Sequence, residues 1–140
     1  MNPTEPLREP AETGAQSAQG APAANAAAAA ARDSSRVAVV IPCHNEAATV
    51  AKVVRDFRAA LPRADIVVVD NASTDRTAEL AREAGARVIG EPRAGKGFAL
   101  LSGFREAKDA DFFVMVDGDD TYPAEGAERL LAAAEMGADM

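Results

Sequence analysis

The chain has 140 residues, of which 48% are hydrophobic and 26% are charged, a composition typical of a single globular domain. Its net charge of −7 disfavours an electrostatic grip on the phosphate backbone of DNA or RNA, so no nucleic-acid partner is expected. Its one cysteine, Cys43, excludes an internal disulfide and a zinc site built from cysteines. Neither a signal-peptide pattern nor a strongly apolar run of about 18 residues is present, and we expect a cytoplasmic location.

Residues 1–35 consist mainly of alanine, proline, glycine, glutamate and glutamine, with very few large side chains to bury. Ordering such a segment would cost backbone entropy with no core to offset it, so we predict a disordered tail. The pattern changes at Arg36, and residues 36–140 are expected to form the folded region.

In this region, short unbroken apolar runs alternate with segments of helical spacing, which is typical of a parallel sheet covered on both faces. The predicted strands are 37–41, 66–69, 87–90 and 112–116. We expect Asn45 to cap the first helix, Thr74 or Asp75 to cap the second, and Pro123 to open the fourth. Gly85 suits the end of the second helix.

Each predicted helix carries an apolar stripe. The expected buried positions are, helix by helix, Val50, Val53, Val54, Phe57 and Leu61; Ala78, Leu80, Ala81 and Ala84; Phe98, Leu101, Phe104 and Ala107; and Leu130, Leu131 and Ala134.

The resulting order βαβαβαβα predicts an α/β fold with a Rossmann-like, doubly wound, mostly parallel sheet. Such sheets bind ligands outside the carboxyl ends of their strands. The segments at those ends are "PCHNE", "DNASTD", "EPRAGKG" and "DGDDTYP". Because the four segments are rich in Asp, Asn, Glu and Lys, the sequence predicts one polar binding edge.

Two nucleotide-binding motifs are incomplete. "GEPRAGKG" has Gly97 where a P-loop needs a serine or threonine, and it follows the third strand rather than the first. Lys96 can still reach a phosphate, or it can be an ordinary solvated lysine. No GxGxxG follows the first strand, which disfavours NAD and FAD. Asp70 can accept hydrogen bonds from a ribose or a base, or it can close the turn that follows it. Glu46 suits either ligand binding or the start of a helix.

The segment "VDGDDTYP" allows three interpretations. Asp117 and Asp119 can present oxygens to a divalent cation that also binds a diphosphate, with Gly118 leaving room for close approach. The spacing also matches the DxDxT of haloacid-dehalogenase-type phosphatases, but that nucleophile belongs on the first strand. A purely structural acidic turn is the third interpretation. The metal site is the preferred one.

Together, "VAVVIPCHNE", "IVVVDNASTD", "GKGFALLSG" and "VDGDDTYP" resemble the family 2 glycosyltransferases of the GT-A fold. The Asp-Gly-Asp followed by Tyr-Pro is most similar to the dolichyl-phosphate mannose synthase and polyprenyl-phosphate glycosyltransferase branch. The resemblance implies a nucleotide-binding region of a GT-A domain whose donor is a GDP- or UDP-sugar.

The resemblance also implies individual roles. Pro42, Glu46 and Asp70 would line the nucleoside pocket, and His44, where the family more often has an aromatic residue, would lie beside them. Lys96 would lie beside the phosphates and Gly118 beside the donor. Asp117 and Asp119 would hold Mg²⁺ or Mn²⁺.

In that family the acceptor pocket and the catalytic base come from strands beyond the position of Met140. The acceptor would be a polyprenyl phosphate or a similar lipid phosphate, which would place the protein at the inner face of the membrane. We expect the 140-residue chain to bind a sugar nucleotide weakly and to transfer little sugar. The alternatives are a non-catalytic binding or interaction module and, less favoured, a sugar nucleotidyltransferase, which would show a glycine-rich basic loop after the first strand.

Overall fold

The computed structural model describes residues 35–137. The predicted disordered tail therefore lies outside the described residues, apart from Ser35, and so do residues 138–140. Within residues 35–137, four strands alternate with four helices. The elements are β1 (Val37–Cys43), α1 (Val50–Ala60), β2 (Asp65–Asp70), α2 (Thr77–Glu83), β3 (Arg87–Gly90), α3 (Lys96–Glu106), β4 (Phe112–Met115) and α4 (Glu125–Glu135). The predicted α/β order is confirmed.

The strands form one parallel sheet in the order β3-β2-β1-β4. Cys43 at the end of β1 pairs with Asp70 at the end of β2, and Asp70 pairs with Gly90 at the end of β3. The chain moves outward from β1 in one direction and then returns to place β4 on the other side. The switch point between β1 and β4 leaves a crevice at their carboxyl ends, where doubly wound sheets bind ligands.

Both faces of the sheet are covered, which explains why the strands appear in the sequence as unbroken apolar runs. Alternate residues of β1 belong to different cores because successive strand side chains point to opposite faces. Val39 and Ile41 pack with residues of α1, α2 and α4, whereas Ala38 and Val40 pack with residues of β2 and α3.

The first two helices begin later than predicted. Asn45 does not cap α1, which begins at Val50 after Thr49; Asn45 has a left-handed φ of 53° and accepts a hydrogen bond from the Thr74 amide at 2.8 Å. The prediction failed because the chain makes an additional turn before entering the helix. The second helix begins after Arg76, although Asp75 accepts a hydrogen bond from the Thr77 amide at 3.0 Å.

The buried face of α3 differs from the predicted stripe. Phe98 and Leu101 are 41% and 51% exposed. The predicted Ala107 is buried, and the other buried positions of α3 are Ala99 and Gly103 rather than the large residues. A face of small residues lets the helix lie close to the strands, and the larger side chains then remain at its flanks.

The start and the buried face of α4 also differ from the prediction. Pro123 precedes the N-cap residue Ala124 rather than opening the helix. Of the two adjacent leucines, Leu131 is buried but Leu130 is 59% exposed. Each step along a helix rotates the side chain by about 100°, and in α4 this rotation turns Leu130 away from the core that Leu131 faces.

Within residues 35–137, β4 pairs with β1 alone and forms one edge of the sheet. Phe113 and Met115 on this strand are 42% and 56% exposed. Phe113 makes an edge-to-face contact with Phe104 of α3, with ring centroids 5.0 Å apart. The face of β4 beside α3 is therefore an apolar surface only partly covered by the helix. In the same part of the chain, no helix combines the length and the apolar character that a membrane span requires.

Candidate functional site

Four carboxylates surround the carboxyl end of β1. The charges of Glu46, Asp70, Asp117 and Asp119 all act on the thiol of Cys43. Together with burial, which is the largest cause, they raise the pKa of Cys43 to about 12. The residues that follow β1, β2 and β4 therefore meet in space, as the sequence predicts.

Glu46 lies in the turn that leads into α1. Its carbonyl accepts the amides of Thr49 and Val50, at 3.1 and 2.9 Å, and its own amide donates to the Thr77 hydroxyl at 2.9 Å. Partial burial and the nearby charges of Asp119 and Asp117 raise the pKa of the Glu46 carboxyl. Carboxylates close enough to disfavour one another's charge are typical of functional sites.

The two aspartates after β4 have different partners. Asp119 accepts hydrogen bonds on Oδ1 from the Thr121 hydroxyl at 2.6 Å and from the Thr121 amide at 3.1 Å, which together lower its pKa. Asp117 accepts an ion-paired hydrogen bond from Lys96 Nζ at 2.5 Å. Lys96 is the first residue of α3, so this bond joins the lysine-containing segment to the Asp-Gly-Asp loop.

Gly118, between the two aspartates, is buried against the end of β1. A Cβ at this position would clash with Cys43 Sγ. The Gly118 carbonyl accepts a hydrogen bond from the Thr49 hydroxyl at 2.6 Å. The loop thus passes between β1 and the start of α1.

The segment after β2 contains both predicted and unpredicted contacts. Asp70 Oδ1 accepts a hydrogen bond from the Ser73 amide at 3.3 Å, which is the turn-closing bond weighed as its alternative role. Asp70 is half-buried, so its carboxylate keeps some exposed surface. His44 is exposed, and its Nδ1 lies 2.8 Å from the Asn71 carbonyl. Pro42 is buried within β1, where it pairs with Val69.

Asn71 organises the lysine-containing segment. Its amide nitrogen donates to the carbonyls of Glu91 and Arg93, at 2.9 and 2.7 Å, and its Oδ1 accepts the Gly95 amide at 2.9 Å. Gly95 has a left-handed φ of 133°, a conformation that favours glycine. Asn71 therefore shapes the turn immediately before Lys96.

An ion pair between the buried Glu91 and the exposed Arg93 stabilises the same segment. Glu91 is only 4% exposed and accepts hydrogen bonds from Arg93 and from the Ser102 hydroxyl, at 2.8 and 2.5 Å. The Arg93 guanidinium lies 4.5 Å from the centre of the Phe98 ring, a cation–π contact. These partners keep the segment in place although most of it is exposed.

In the part of the chain that the structure describes, no three His, Cys, Asp or Glu side chains are arranged to chelate a metal ion by themselves. Asp117 and Asp119 are two carboxylates on one loop. This number fits Mg²⁺, which proteins often bind through one or two carboxylates together with substrate phosphates and water.

A cavity lies at the opposite end of the sheet from the four carboxylates. It has a volume of about 530 Å³ and lies between the end of α1, the start of β1 and α4, beside Leu61, Arg63 and Leu131. It is distant from the carboxylates, and the polar convergence that a ligand site needs is found at the carboxyl edge instead.

The structural roles of Thr49 and Asn71 were not predicted from the sequence. Each makes its important hydrogen bonds with residues distant in the chain, Thr49 with Gly118 and Asn71 with the residues before Lys96. Threonine before a helix and asparagine after a strand are common, so their local patterns contain no signal of these contacts.

Comparison with known proteins identifies the family of this chain. Residues 38–140 match the model of glycosyl transferase family 2. Protein RfbJ of Shigella flexneri is 48% identical over 98 residues, which cover 70% of this chain and 75% of RfbJ. A dolichyl-phosphate hexose transferase of Haloferax volcanii is 39% identical over 105 residues, which cover 74% of this chain but 45% of the transferase.

A solved structure shows the same fold. Glucosyl-3-phosphoglycerate synthase from Mycobacterium tuberculosis, in complex with Mn²⁺, UDP-glucose and phosphoglyceric acid, superposes with a TM-score of 0.68 at 29% identity. The match covers 77% of this chain and 42% of the synthase, so this chain spans less than half the length of that enzyme. By the family match over residues 38–140 and by its likeness to RfbJ, the chain belongs to glycosyl transferase family 2.

Proposed function

We propose that this chain binds a nucleoside-diphosphate sugar at the carboxyl edge of its sheet and forms the donor-binding region of a glycosyltransferase. The observation that carries the proposal is the meeting of Glu46, Asp70, Asp117 and Asp119 at the end of β1, with Lys96 paired to Asp117. One cation beside four carboxylates leaves a net negative site.

A divalent ion fits this charge, with Asp117 and Asp119 as its protein ligands. Asp119 Oδ1 is occupied by Thr121, which orients the carboxylate and leaves Oδ2 for a ligand. Burial and, to a smaller extent, the charges of Asp119 and Asp117 raise the pKa of Glu46, which is consistent with carboxylates that lie close to one another. Mg²⁺ or Mn²⁺, when bound, would stabilise the negative charge of the leaving diphosphate as a Lewis acid.

The other side chains have distinct proposed roles. Lys96 is 57% exposed and can extend from Asp117 toward a diphosphate oxygen. Pro42, His44, Glu46 and Asp70 would line the nucleoside pocket. Gly118, whose missing Cβ makes room for Cys43, would lie beside the donor. We assign no residue of this chain as the catalytic base.

We propose UDP as the preferred nucleotide, because the structurally similar synthase binds UDP-glucose; a GDP-sugar is the alternative. We propose a polyprenyl phosphate or a related lipid phosphate as the acceptor. The likeness to a dolichyl-phosphate hexose transferase supports that class. Such an acceptor would bring the protein to the cytoplasmic face of a membrane.

The proposal predicts metal-dependent nucleotide binding. In calorimetric titrations with UDP and UDP-glucose, affinity should be measurable with Mn²⁺ and fall at least about tenfold with EDTA, since metal-bridged phosphate contacts would be lost. Asp119→Asn should lose the metal-dependent part of the binding.

Asp109→Asn is a matched control, because Asp109 is an exposed aspartate just before β4, at the opposite end of that strand. It should bind as the unchanged protein does. Metal-independent binding that survives Asp119→Asn would contradict the proposed site. Sugar transfer to dolichyl phosphate would exclude the non-catalytic binding module, whereas little transfer is expected of this chain alone under either hypothesis.

A further inference from the structure

The loop that contains Asp117 and Asp119 accepts a hydrogen bond from the residue that precedes α1. Thr49, the residue before α1, donates its hydroxyl to the Gly118 carbonyl at 2.6 Å. A threonine at this position usually caps its own helix, but the Thr49 hydroxyl makes no capping hydrogen bond. Its hydrogen bond connects residues 69 positions apart in the chain.

Two further contacts hold the same loop. On the side of β1, Gly118 lies so close to Cys43 that a Cβ would clash with the sulfur. On the side of α1, Lys52 donates to Asp120 Oδ1 at 3.1 Å. Asp120 has a left-handed φ of 65°, a conformation that non-glycine residues keep when their surroundings impose it.

The position of the held carbonyl matters for the aspartates. Gly118 is the single residue between Asp117 and Asp119, so a rotation of its peptide would redirect both carboxylates. The Lys96 contact reaches only Asp117, and the Thr121 contacts are local to the loop. Lys52 holds the side chain of Asp120, whereas the Thr49 hydroxyl holds the backbone between the two aspartates.

We propose that Thr49 is a positioning residue for the donor site, which holds the Gly118 carbonyl and thereby fixes the directions of Asp117 and Asp119. The inference rests on the proposed function for the identity of the ligand. Its geometric part can be tested without any ligand.

The first test is amide hydrogen exchange of the ligand-free 140-residue protein. The buried Val116 amide, immediately before Asp117, donates to the Val40 carbonyl at 3.2 Å, so its exchange rate reports whether the start of the loop stays attached to β1. In Thr49→Val, which keeps the shape and removes the hydroxyl, this amide should exchange about tenfold faster, as expected for the loss of one hydrogen bond. Thr49→Ser should restore slow exchange.

Thr74→Val is the matched control. Its hydroxyl contacts Asn45 at the same edge of the sheet, at 3.3 Å, and it should leave the Val116 amide unchanged. Unchanged exchange of Val116 in Thr49→Val would overturn the proposal. Equal acceleration of Val116 and of the buried Val54 in α1 would overturn it as well, because it would indicate general destabilisation.

The second test connects the geometry to the ligand. Thr49→Val should weaken UDP binding about tenfold in Mn²⁺ and leave any binding in EDTA unchanged, because only the metal-dependent part uses both aspartates. If the unchanged protein does not bind UDP with Mn²⁺, the proposed function fails, and the exchange measurement still decides the role of Thr49.

Discussion

At the level of single residues, the site depends on buried polar groups that are hydrogen-bonded within the protein. Asn71 is 6% exposed, and its three side-chain hydrogen bonds shape the segment before Lys96. Glu91, 4% exposed, keeps its charge because Arg93 and Ser102 donate to it. Buried polar groups are tolerated when they are hydrogen-bonded, and here the partners come from the loop and the helix that follow β3.

The ion pair of Glu91 should make the protein sensitive to acid. Hydrogen bonds from Arg93 and Ser102 hold the pKa of Glu91 below its ordinary value of 4.5. The folded state therefore binds fewer protons at this site than the unfolded state, so stability rises with pH across this range. The contribution is complete above that ordinary value, decreases as the pH falls toward the lower pKa of the folded protein, and is lost below it.

The prediction is tested by urea unfolding at a series of pH values between about 7 and 3. Glu91→Gln should lower stability at pH 7 and flatten its decline in acid. The exposed Glu128→Gln should leave the profile unchanged. A Glu91→Gln profile parallel to that of the unchanged protein would show that the pair does not contribute to acid sensitivity.

At the level of elements, the strands were easier to predict than the helix faces. Apolar runs identified β1 and β2, which are covered on both faces, and the edge strand β4, whereas β3 was predicted although it has only two apolar residues, Val88 and Ile89. The predicted buried face of α3 was wrong at Phe98 and Leu101, because the pattern favoured these large residues and both are exposed. The helix contacts the sheet through Gly103, and closeness of packing has no signature in apolar spacing.

Gly103 should therefore be intolerant of even a methyl group. A Cβ there would clash with Val40 and lie 3.1 Å from Val69 Cγ2. Gly103→Ala should lower the free energy of unfolding by about 1–3 kcal/mol, which is typical of overpacking at a buried contact.

The matched control is Gly126→Ala in α4, where the added Cβ would have no atom within 4 Å. Because alanine favours helix, this change should raise the free energy of unfolding by about 0.5–1 kcal/mol. Urea denaturation measures both values. Equal effects of the two substitutions would contradict close packing of α3 on the sheet.

At the level of the whole molecule, the exposed edge strand should promote self-association. β4 is an edge of the sheet within residues 35–137, and its Phe113 and Met115 are 42% and 56% exposed. Exposed apolar edge strands favour pairing between molecules, and lysine is a common natural protection against it. Met115→Lys should reduce association at high protein concentration while leaving the urea midpoint nearly unchanged.

Leu130→Lys, a comparable change at a residue of α4 that is 59% exposed, is the control and should have a smaller effect. Size-exclusion chromatography and light scattering over a range of concentrations provide the measurement. An equal effect of both lysines would indicate that charge, rather than the edge strand, controls association.

The sequence by itself determined the order of strands and helices, the end of the sheet where the polar residues gather, and the family. The first two follow from local composition: apolar runs specify covered strands, and polar residues at strand ends share one edge because the strands are parallel. The positions of Asp70, Asp117 and Asp119 at this edge were all predicted in this way. The family was indicated by the resemblance of four sequence motifs to family 2 glycosyltransferases.

Only the tertiary structure decided which of these side chains are paired and what holds them. The bonds from Lys96 to Asp117, from Thr49 to Gly118 and from Asn71 to the segment before Lys96 all join distant parts of the chain. Such contacts depend on the strand order and on how closely α1 and α3 pack against the sheet. A hydrogen bond requires its two atoms to lie within about 3.5 Å of each other, and this condition is set by the fold rather than by local sequence.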